Sequence, residues 1–175
     1  MPCIIPGLQF KVNVEQPLEI QIGNILRERK LTLALAESCT GGLVSDRITN
    51  VPGSSEYFLG GIVAYAYEVK VALLNVSWDS LNAHGAVSQE VVLEMARGAR
   101  QTLKADITAS ISGIAGPGGG TLDKPVGTVW LGLAAPDGEW ERQFHFSGNR
   151  EQIKSSSADA VLQLILDYLQ GNLKK

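Results

Sequence analysis

The stretch LTLALAESCTGG, residues 31–42, decides how this chain arranges its chemistry. Residues 31–36 have the apolar character of a short buried β-strand, which ends on small polar residues and two glycines. A helical pattern follows, with an apolar face made of Leu43, Val44 and Ile48. Ser38 is thereby placed where a strand passes into a helix, a position at which open α/β sheets expose reactive side chains beside helix N–H groups. Ser38 is the candidate nucleophile, and Cys39 is its competitor.

Length and composition indicate one globular domain. The chain has 175 residues, 45% hydrophobic and 19% charged, which is enough to bury one substantial core. No apolar run approaches the roughly 20 residues that cross a bilayer, so no membrane partner is expected. The formal net charge is −3, and the absence of a basic tract with interleaved aromatic residues argues against nucleic acid as the main partner. Cys3 and Cys39 are too few for a disulfide framework or a CxxC metal site, so a cytoplasmic protein is expected.

Helical and strand patterns alternate along the chain. Residues 1–16 carry little periodic signal and are interpreted as an N-terminal extension, before a domain over 17–170 and a tail over 171–175. Helices are predicted over 17–30, from the glycines to about residue 50, over 68–74, from the N-cap Ser88 to about residue 103, and over 150–169. Strands are predicted over 31–36, 60–67, 107–111, 126–135 and 139–146, the last two joined as a hairpin by residues 136–138. This order predicts an α/β fold in which helices sandwich a mixed sheet.

A serine nucleophile needs a base, because its hydroxyl stays protonated at neutral pH. The two histidines are His84, in a predicted turn, and His145, in a predicted strand, and a structural or surface role suits each of them better. Lys70 is the more interesting base, since its apolar neighbours are compatible with burial, which lowers the pKa of a lysine. Taken alone, however, a lysine at the start of a helix is most often a solvated surface residue.

Two further segments are candidates for substrate contacts. Residues 113–120, GIAGPGGG, form a predicted loop that fits neither a dinucleotide-binding fingerprint nor a Walker A motif. It is either a flexible turn or a backbone wall that lets a flat substrate approach closely, and the residues leave both interpretations open. Arg150 lies at the predicted start of the last helix, where it is either solvated or directed at an anion.

Six motifs, in this order, resemble the CinA C-terminal domain family over about residues 17–170. They are AESCTGG at 36–42, Tyr65 with Lys70, HGAVS at 84–88, SGIAGPGG at 112–119, KPVGTV at 124–129 and FSGNR at 146–150. The resemblance implies a single-domain, three-layer α/β/α sandwich with a mixed, mostly parallel sheet, and no metal or cofactor. It also implies a homo-oligomer that hydrolyses the carboxamide of nicotinamide mononucleotide, a small-molecule substrate, to nicotinic acid mononucleotide and ammonia.

The resemblance also assigns roles to residues. Ser38 becomes the nucleophile, and Lys70 takes its proton directly or through Tyr65, while N–H groups at the start of the following helix hold the oxyanion. The substrate-binding positions that it implies are Thr40, Gly41, Ser55, Ser112, Gly113 and Arg150. Ser112 stands where many relatives have threonine, which keeps a hydroxyl. Asn149 stands where aspartate is common, a departure beside the arginine.

The alternative function is a binding or regulatory module that has the fold and lacks the chemistry. The presence together of Ser38, Tyr65 and Lys70 argues against it, because a domain that only folds has little need for a matched hydroxyl and amine. Many family members also carry an N-terminal domain that resembles a molybdopterin-binding fold. The sequence given has no room for one, so the stand-alone amidase form is expected.

Overall fold

In a computed structural model that describes residues 16–173, a five-stranded β-sheet is covered by helices on both faces. The strands are β1 (Leu33–Glu37), β2 (Phe58–Val63), β3 (Ile107–Gly113), β4 (Thr128–Ala135) and β5 (Gly138–His145). The helices are α1 (Leu18–Arg29), α2 (Leu43–Thr49), α3 (Tyr67–Leu74), α4 (Trp78–His84), α5 (Gln89–Leu103) and α6 (Arg150–Leu169), with a short 3-10 helix at Ser54–Glu56. Residues 1–15 of the predicted extension and residues 174–175 of the predicted tail lie outside the described range.

The strands lie in the order β2-β1-β3-β4-β5. The central strand β1 pairs in parallel with β2 and β3, whereas β3–β4 and β4–β5 are antiparallel pairs. Four strands therefore run in one direction and β4 alone opposes them. The predicted mixed sheet is confirmed. Parallel and antiparallel pairs are equal in number, because β4 reverses direction and therefore pairs antiparallel on both sides.

Two apolar clusters lie on opposite faces of the sheet and confirm the three-layer arrangement. One face carries α1, α2 and α6, which pack on Leu35 and Ile111. The other face carries α3, α4 and α5, which pack on Ala36. Neighbouring residues of β1 serve different clusters because side chains alternate along a strand. Every residue of β1 is buried, as expected for a central strand with both faces covered.

Helix α6 begins and ends where the sequence predicts. Asn149 Oδ1 accepts a hydrogen bond from the Gln152 backbone N–H at 3.0 Å, and Gln152 Oε1 accepts one from the Asn149 backbone N–H at 2.9 Å, which forms a capping box. Helix α5 starts in the same way, with Ser88 Oγ accepting from the Val91 N–H at 3.4 Å. These side-chain caps are local, so the sequence locates them well.

Two local predictions are wrong. Strand β2 ends at Val63, and Tyr67 begins α3 instead of ending a strand, because β1 ends at Glu37 and offers no further pairing. His84 is the last residue of α4, not part of a turn. The N-cap of that helix is Ser77, whose Oγ accepts from the Ser80 N–H at 3.0 Å. The helix has seven residues, too few to produce a clear periodic pattern.

Candidate active site

Ser38 lies at the carboxyl end of β1. Its backbone N–H donates to the carbonyl of Ile111 at 3.0 Å, which extends the β1–β3 ladder one residue beyond Glu37. Ser38 therefore stands beside Ser112 on the neighbouring strand. Strand alternation directs its side chain to the same face as Ala36, the face covered by α3 and α5. The serine is 8% exposed, so its hydroxyl lies just below the surface at the edge of the sheet.

Lys70 reaches Ser38 from α3. Its Nζ lies 2.9 Å from Ser38 Oγ, 2.6 Å from the Ala64 carbonyl oxygen and 3.2 Å from the Tyr65 carbonyl oxygen. The residue is 1% exposed, and this burial lowers the pKa of the amine from 10.5 to about 8, because desolvation disfavours the charged form. The surface position that is usual for a lysine at a helix start is thus excluded here, since α3 packs against α5 and turns Lys70 inward.

The three contacts of the Lys70 amine suit its neutral form. A neutral amine has two N–H donors and one lone pair. The donors match the carbonyl oxygens of Ala64 and Tyr65, and the lone pair then faces the hydroxyl of Ser38. When the amine is protonated, it donates to all three oxygens. Only the neutral amine can accept the proton of the serine, so the lowered pKa and the contact geometry point to the same chemistry.

Glu37 holds the turn that carries Ser38, a role that the sequence analysis missed. Its carboxylate is buried and accepts five hydrogen bonds. The donors are Thr40 Oγ1 at 2.7 Å, the Gly42 N–H at 3.0 Å, the Val44 N–H at 3.2 Å, the Ser45 N–H at 2.8 Å and Ser45 Oγ at 2.6 Å. A carboxylate placed here satisfies the otherwise unpaired N–H groups at the start of α2. The signal in the sequence was an acidic residue at the end of an otherwise apolar strand.

The hydrogen bonds of Glu37 bear on two expectations. At the start of α2, the N–H groups of Gly42, Val44 and Ser45 are not free to bind an oxyanion, because Glu37 already accepts hydrogen bonds from them. The side chain of Thr40 is buried and its hydroxyl donates to Glu37, so only its backbone remains available to a ligand. Within residues 16–173, the N–H groups of Cys39 and Thr40 have no backbone or side-chain oxygen as acceptor.

Cys39 packs away from the base. Its side chain belongs to the apolar cluster on the α1, α2 and α6 face, opposite the face on which Ser38 meets Lys70. Burial raises the pKa of the Cys39 thiol from 9.0 to about 11, and nearby N–H groups and Lys70 offset this effect only in part. The thiol is therefore protonated at neutral pH, which makes it a poor nucleophile. This arrangement favours Ser38 over Cys39.

Arg150 joins three segments near Ser38. It is the first residue of α6, and its guanidinium donates to the Gly116 carbonyl at 2.7 Å and to the Tyr65 hydroxyl at 3.0 Å. The glycine loop, the segment after β2 and the start of α6 are thereby brought together. Tyr65 is 60% exposed and contributes its carbonyl oxygen, not its hydroxyl, to the Lys70 contacts. A proton relay through the Tyr65 hydroxyl is unnecessary, since Lys70 and Ser38 are in direct contact.

The remaining predicted contacts divide into two groups. Ser112 Oγ is buried and has no hydrogen-bond partner in the described part of the chain, which leaves a hydroxyl available beside Ser38. Gly113 ends β3, and Gly41 lies exposed in the turn after Ser38 with φ of 64°. Ser55 does not lie beside Ser38 in this chain. This residue lies in the 3-10 helix before β2, at the edge of the sheet opposite the carboxyl end of β1.

Other side chains do not add a metal site to this region. Between residues 16 and 173, no group of three or more His, Cys, Asp and Glu side chains is arranged to hold a metal ion. His84 lies at the end of α4 with Nδ1 3.8 Å from a Glu90 carboxylate oxygen, and His145 ends β5.

Between residues 16 and 173, none of the helices combines the length and apolar character needed to cross a membrane.

Comparison with known proteins identifies the family. The family model described as the CinA C-terminal domain matches residues 15–169. This chain belongs to the CinA C-terminal domain family. A putative competence-damage inducible protein of Moorella thermoacetica is 52% identical over 157 residues, covering 90% of this CinA domain and 38% of that protein. A CinA-like protein of Desulfotalea psychrophila is 49% identical over 148 residues, covering 85% and 36%. The chain thus spans less than two fifths of the length of these curated relatives.

Solved structures of CinA proteins share the fold. A competence-damaged protein (CinA) superfamily protein from Klebsiella pneumoniae has a TM-score of 0.85 and 30% identity, covering 88% of this chain and 96% of that one. The competence/damage inducible protein CihA from Agrobacterium tumefaciens has a TM-score of 0.84 and 34% identity, covering 87% and 93%. The predicted family and the predicted fold class are therefore confirmed. The names of these proteins state no reaction.

Proposed function

We propose that this CinA domain is an amidohydrolase that converts nicotinamide mononucleotide into nicotinic acid mononucleotide and ammonia, with Ser38 as nucleophile and Lys70 as base. The observation that carries the proposal is the 2.9 Å contact between Lys70 Nζ and Ser38 Oγ, made by a lysine that is 1% exposed. A serine becomes a competent nucleophile when an adjacent neutral amine takes its proton. The choice of substrate comes from the family resemblance.

The reaction proceeds through an acyl-enzyme. As Ser38 Oγ bonds to the carboxamide carbon, its proton passes to the neutral amine of Lys70 and the carbonyl electron pair moves onto oxygen. The carbon–nitrogen bond then breaks, and the leaving nitrogen takes the proton from the Lys70 ammonium and departs as ammonia. Water attacks the ester with Lys70 again as base. The carbon–Oγ bond breaks, Ser38 regains its proton and the carboxylic acid product leaves. The carbonyls of Ala64 and Tyr65 accept hydrogen bonds from the ammonium between these steps.

The negative oxygen of the intermediates needs donors near Ser38. In the turn after Ser38, the backbone N–H groups of Cys39 and Thr40 do not donate to Glu37 and can donate to this oxygen. One well-placed donor lowers the activation barrier by about 3 kcal/mol. The unpartnered hydroxyl of Ser112 supports a contact with the carboxamide. Gly41 and Gly113 would border the substrate without side chains. Arg150 would receive the phosphate, because a guanidinium matches phosphate geometry.

Ammonia release from nicotinamide mononucleotide tests the proposal. Ser38→Ala and Lys70→Met are each expected to lower kcat by about a thousandfold or more, because nucleophile and base act as one unit. Cys39→Ala is the matched control. It keeps its backbone N–H and is expected to retain kcat within about threefold, since the thiol is protonated. Circular dichroism of each variant verifies that the fold is intact.

Two outcomes would contradict the proposal in different ways. Near-normal turnover by Ser38→Ala, or loss of turnover in Cys39→Ala alone, would show that the nucleophile is wrongly assigned. A wild-type protein that binds nucleotide and releases no ammonia would instead favour the binding or regulatory module.

A further inference from the structure

Lys154 lies over the turn that carries Ser38. It follows Arg150 by four residues on α6, a spacing that puts both side chains on the same face of the helix. A Cβ atom at Gly41 would stand 3.9 Å from Lys154 Nζ, and apart from its neighbours in the chain no other atom of residues 16–173 would lie within 4 Å. The amine therefore lies next to the exposed backbone of Gly41, the last residue of the Ser38 turn.

Neither cation on this face has an acidic partner in the described structure. The ion pairs between residues 16 and 173 involve Arg47, His84, Arg97 and Arg142, not Arg150 or Lys154. Among the described residues, the acceptors of Arg150 are two neutral oxygens, the Gly116 carbonyl and the Tyr65 hydroxyl. Two adjacent cations without acids, in a chain whose formal net charge is −3, attract an anion to this place.

The position of the two cations relative to Ser38 suits a phosphate attached through a pentose. Residues 38–41 form a turn closed by the Gly41 N–H and the Ser38 carbonyl at 3.1 Å, and such turns hold their end Cα atoms within about 7 Å. Gly41 has φ of 64° and no side chain to occupy the space between the turn and the Lys154 amine. A ring whose carboxamide is at Ser38 would direct its sugar phosphate along this path.

We propose that Lys154 binds the phosphate monoester of the substrate together with Arg150 and that this contact makes the site prefer nucleotides to nucleosides. The inference rests on the proposed function, because it takes Ser38 as the point where the carboxamide binds. Arg150 supplies a planar fork of donors, and Lys154, one helical turn further along α6, supplies a compact second charge beside Gly41.

Comparing the kinetics of two substrates that differ only in the phosphate isolates the phosphate contact. Ammonia release is measured with nicotinamide mononucleotide and with nicotinamide riboside, which lacks the phosphate. Lys154→Met is expected to raise KM for the nucleotide about tenfold or more, with a much smaller effect on the nucleoside, because a charge-assisted hydrogen bond is lost. Lys104→Met is the matched control. It removes an exposed lysine at the end of α5, at the opposite edge of the sheet, and is expected to change neither substrate.

A binding experiment distinguishes failure of this inference from failure of the proposed reaction. Isothermal titration of nicotinic acid mononucleotide into the Ser38→Ala protein needs no turnover. In the Ser38→Ala background, adding Lys154→Met is expected to lower the affinity for the nucleotide about tenfold, whereas adding Lys104→Met is expected to leave it unchanged. This result supports the phosphate contact even if ammonia is never released. The inference about Lys154 would be overturned by equal affinity in both double variants, by equal KM changes for the two substrates, or by no nucleotide binding at all.

Discussion

Replacing Lys70 with methionine tests whether the amine beside Ser38 loses its proton readily. Methionine retains much of the side-chain volume and removes the titrating group. Burial in the folded protein lowers the pKa of Lys70 from 10.5 to about 8, whereas the unfolded chain keeps the ordinary value. The folded protein therefore releases this proton at a lower pH than the unfolded chain does.

The magnitude follows from that difference. A pKa that falls from 10.5 to about 8 corresponds to about 3 kcal/mol of unfavourable free energy while the buried amine is charged. The cost is complete below about pH 8 and disappears as the pH rises towards 10.5, because a lowered folded-state pKa makes stability increase with pH. From about pH 7 to 9.5 the wild-type protein is expected to gain about 2 kcal/mol relative to Lys70→Met. Differences in packing that do not depend on pH cancel in this comparison.

Urea unfolding followed by circular dichroism at these two pH values measures the effect. The wild-type protein and Lys70→Met are compared, and Lys104→Met serves as the control that removes an exposed lysine. The control is expected to follow the wild-type curve. If the stability of Lys70→Met changes with pH in parallel with the wild type, Lys70 titrates as a solvated lysine, and its assignment as the base is refuted.

Three other expectations follow from the same site. The kcat/KM for ammonia release should rise about tenfold per pH unit up to about pH 8 and then level off, because only neutral Lys70 takes the proton; a flat profile contradicts this. Glu37→Gln should lower the free energy of unfolding in urea by about 3 kcal/mol, because an amide N–H₂ would face N–H donors of α2; a loss under about 0.5 kcal/mol contradicts this. Gly98→Ala should lower the free energy of unfolding by about 2 kcal/mol in the same assay and reduce ammonia release, because its Cβ would overlap the Leu74 carbonyl and displace α3. Gly118→Ala is the neutral control, since apart from its neighbours in the chain no atom of the described residues would lie within 4 Å of its Cβ.

The sequence predicted those features that depend on neighbouring residues. The limits of α6 followed from a long apolar stripe, which is a local feature of the sequence. Ser38 was located because an apolar run meets two glycines within a few residues. The family resemblance then supplied the pairing of Ser38 with Lys70, which no spacing rule could have given, since 32 residues separate the two.

What the sequence did not predict depends on how distant elements pack. The burial of Lys70 arises because α3 lies against α5, and an isolated lysine at a helix start carries no mark of this. Ser55 precedes a strand parallel to β1, so the crossover moves it to the far edge of the sheet. Glu37 contacts residues within eight positions, yet a buried carboxylate and a solvated one look identical in a sequence. Lys154 resembled any polar residue on an amphipathic helix.

The carboxylate of Glu37 gives the starts of α2 and α6 different roles. The Glu37 carboxylate accepts hydrogen bonds from the N–H groups of Gly42, Val44 and Ser45, so the turn bearing Ser38 is tied to the start of α2 by the protein's own side chain. Under the proposed function, an incoming anion is received by α6, which carries Arg150 and Lys154. A change of two side chains on the first turns of α6 could therefore redirect such a domain to a new family of amides without altering its reactive alcohol.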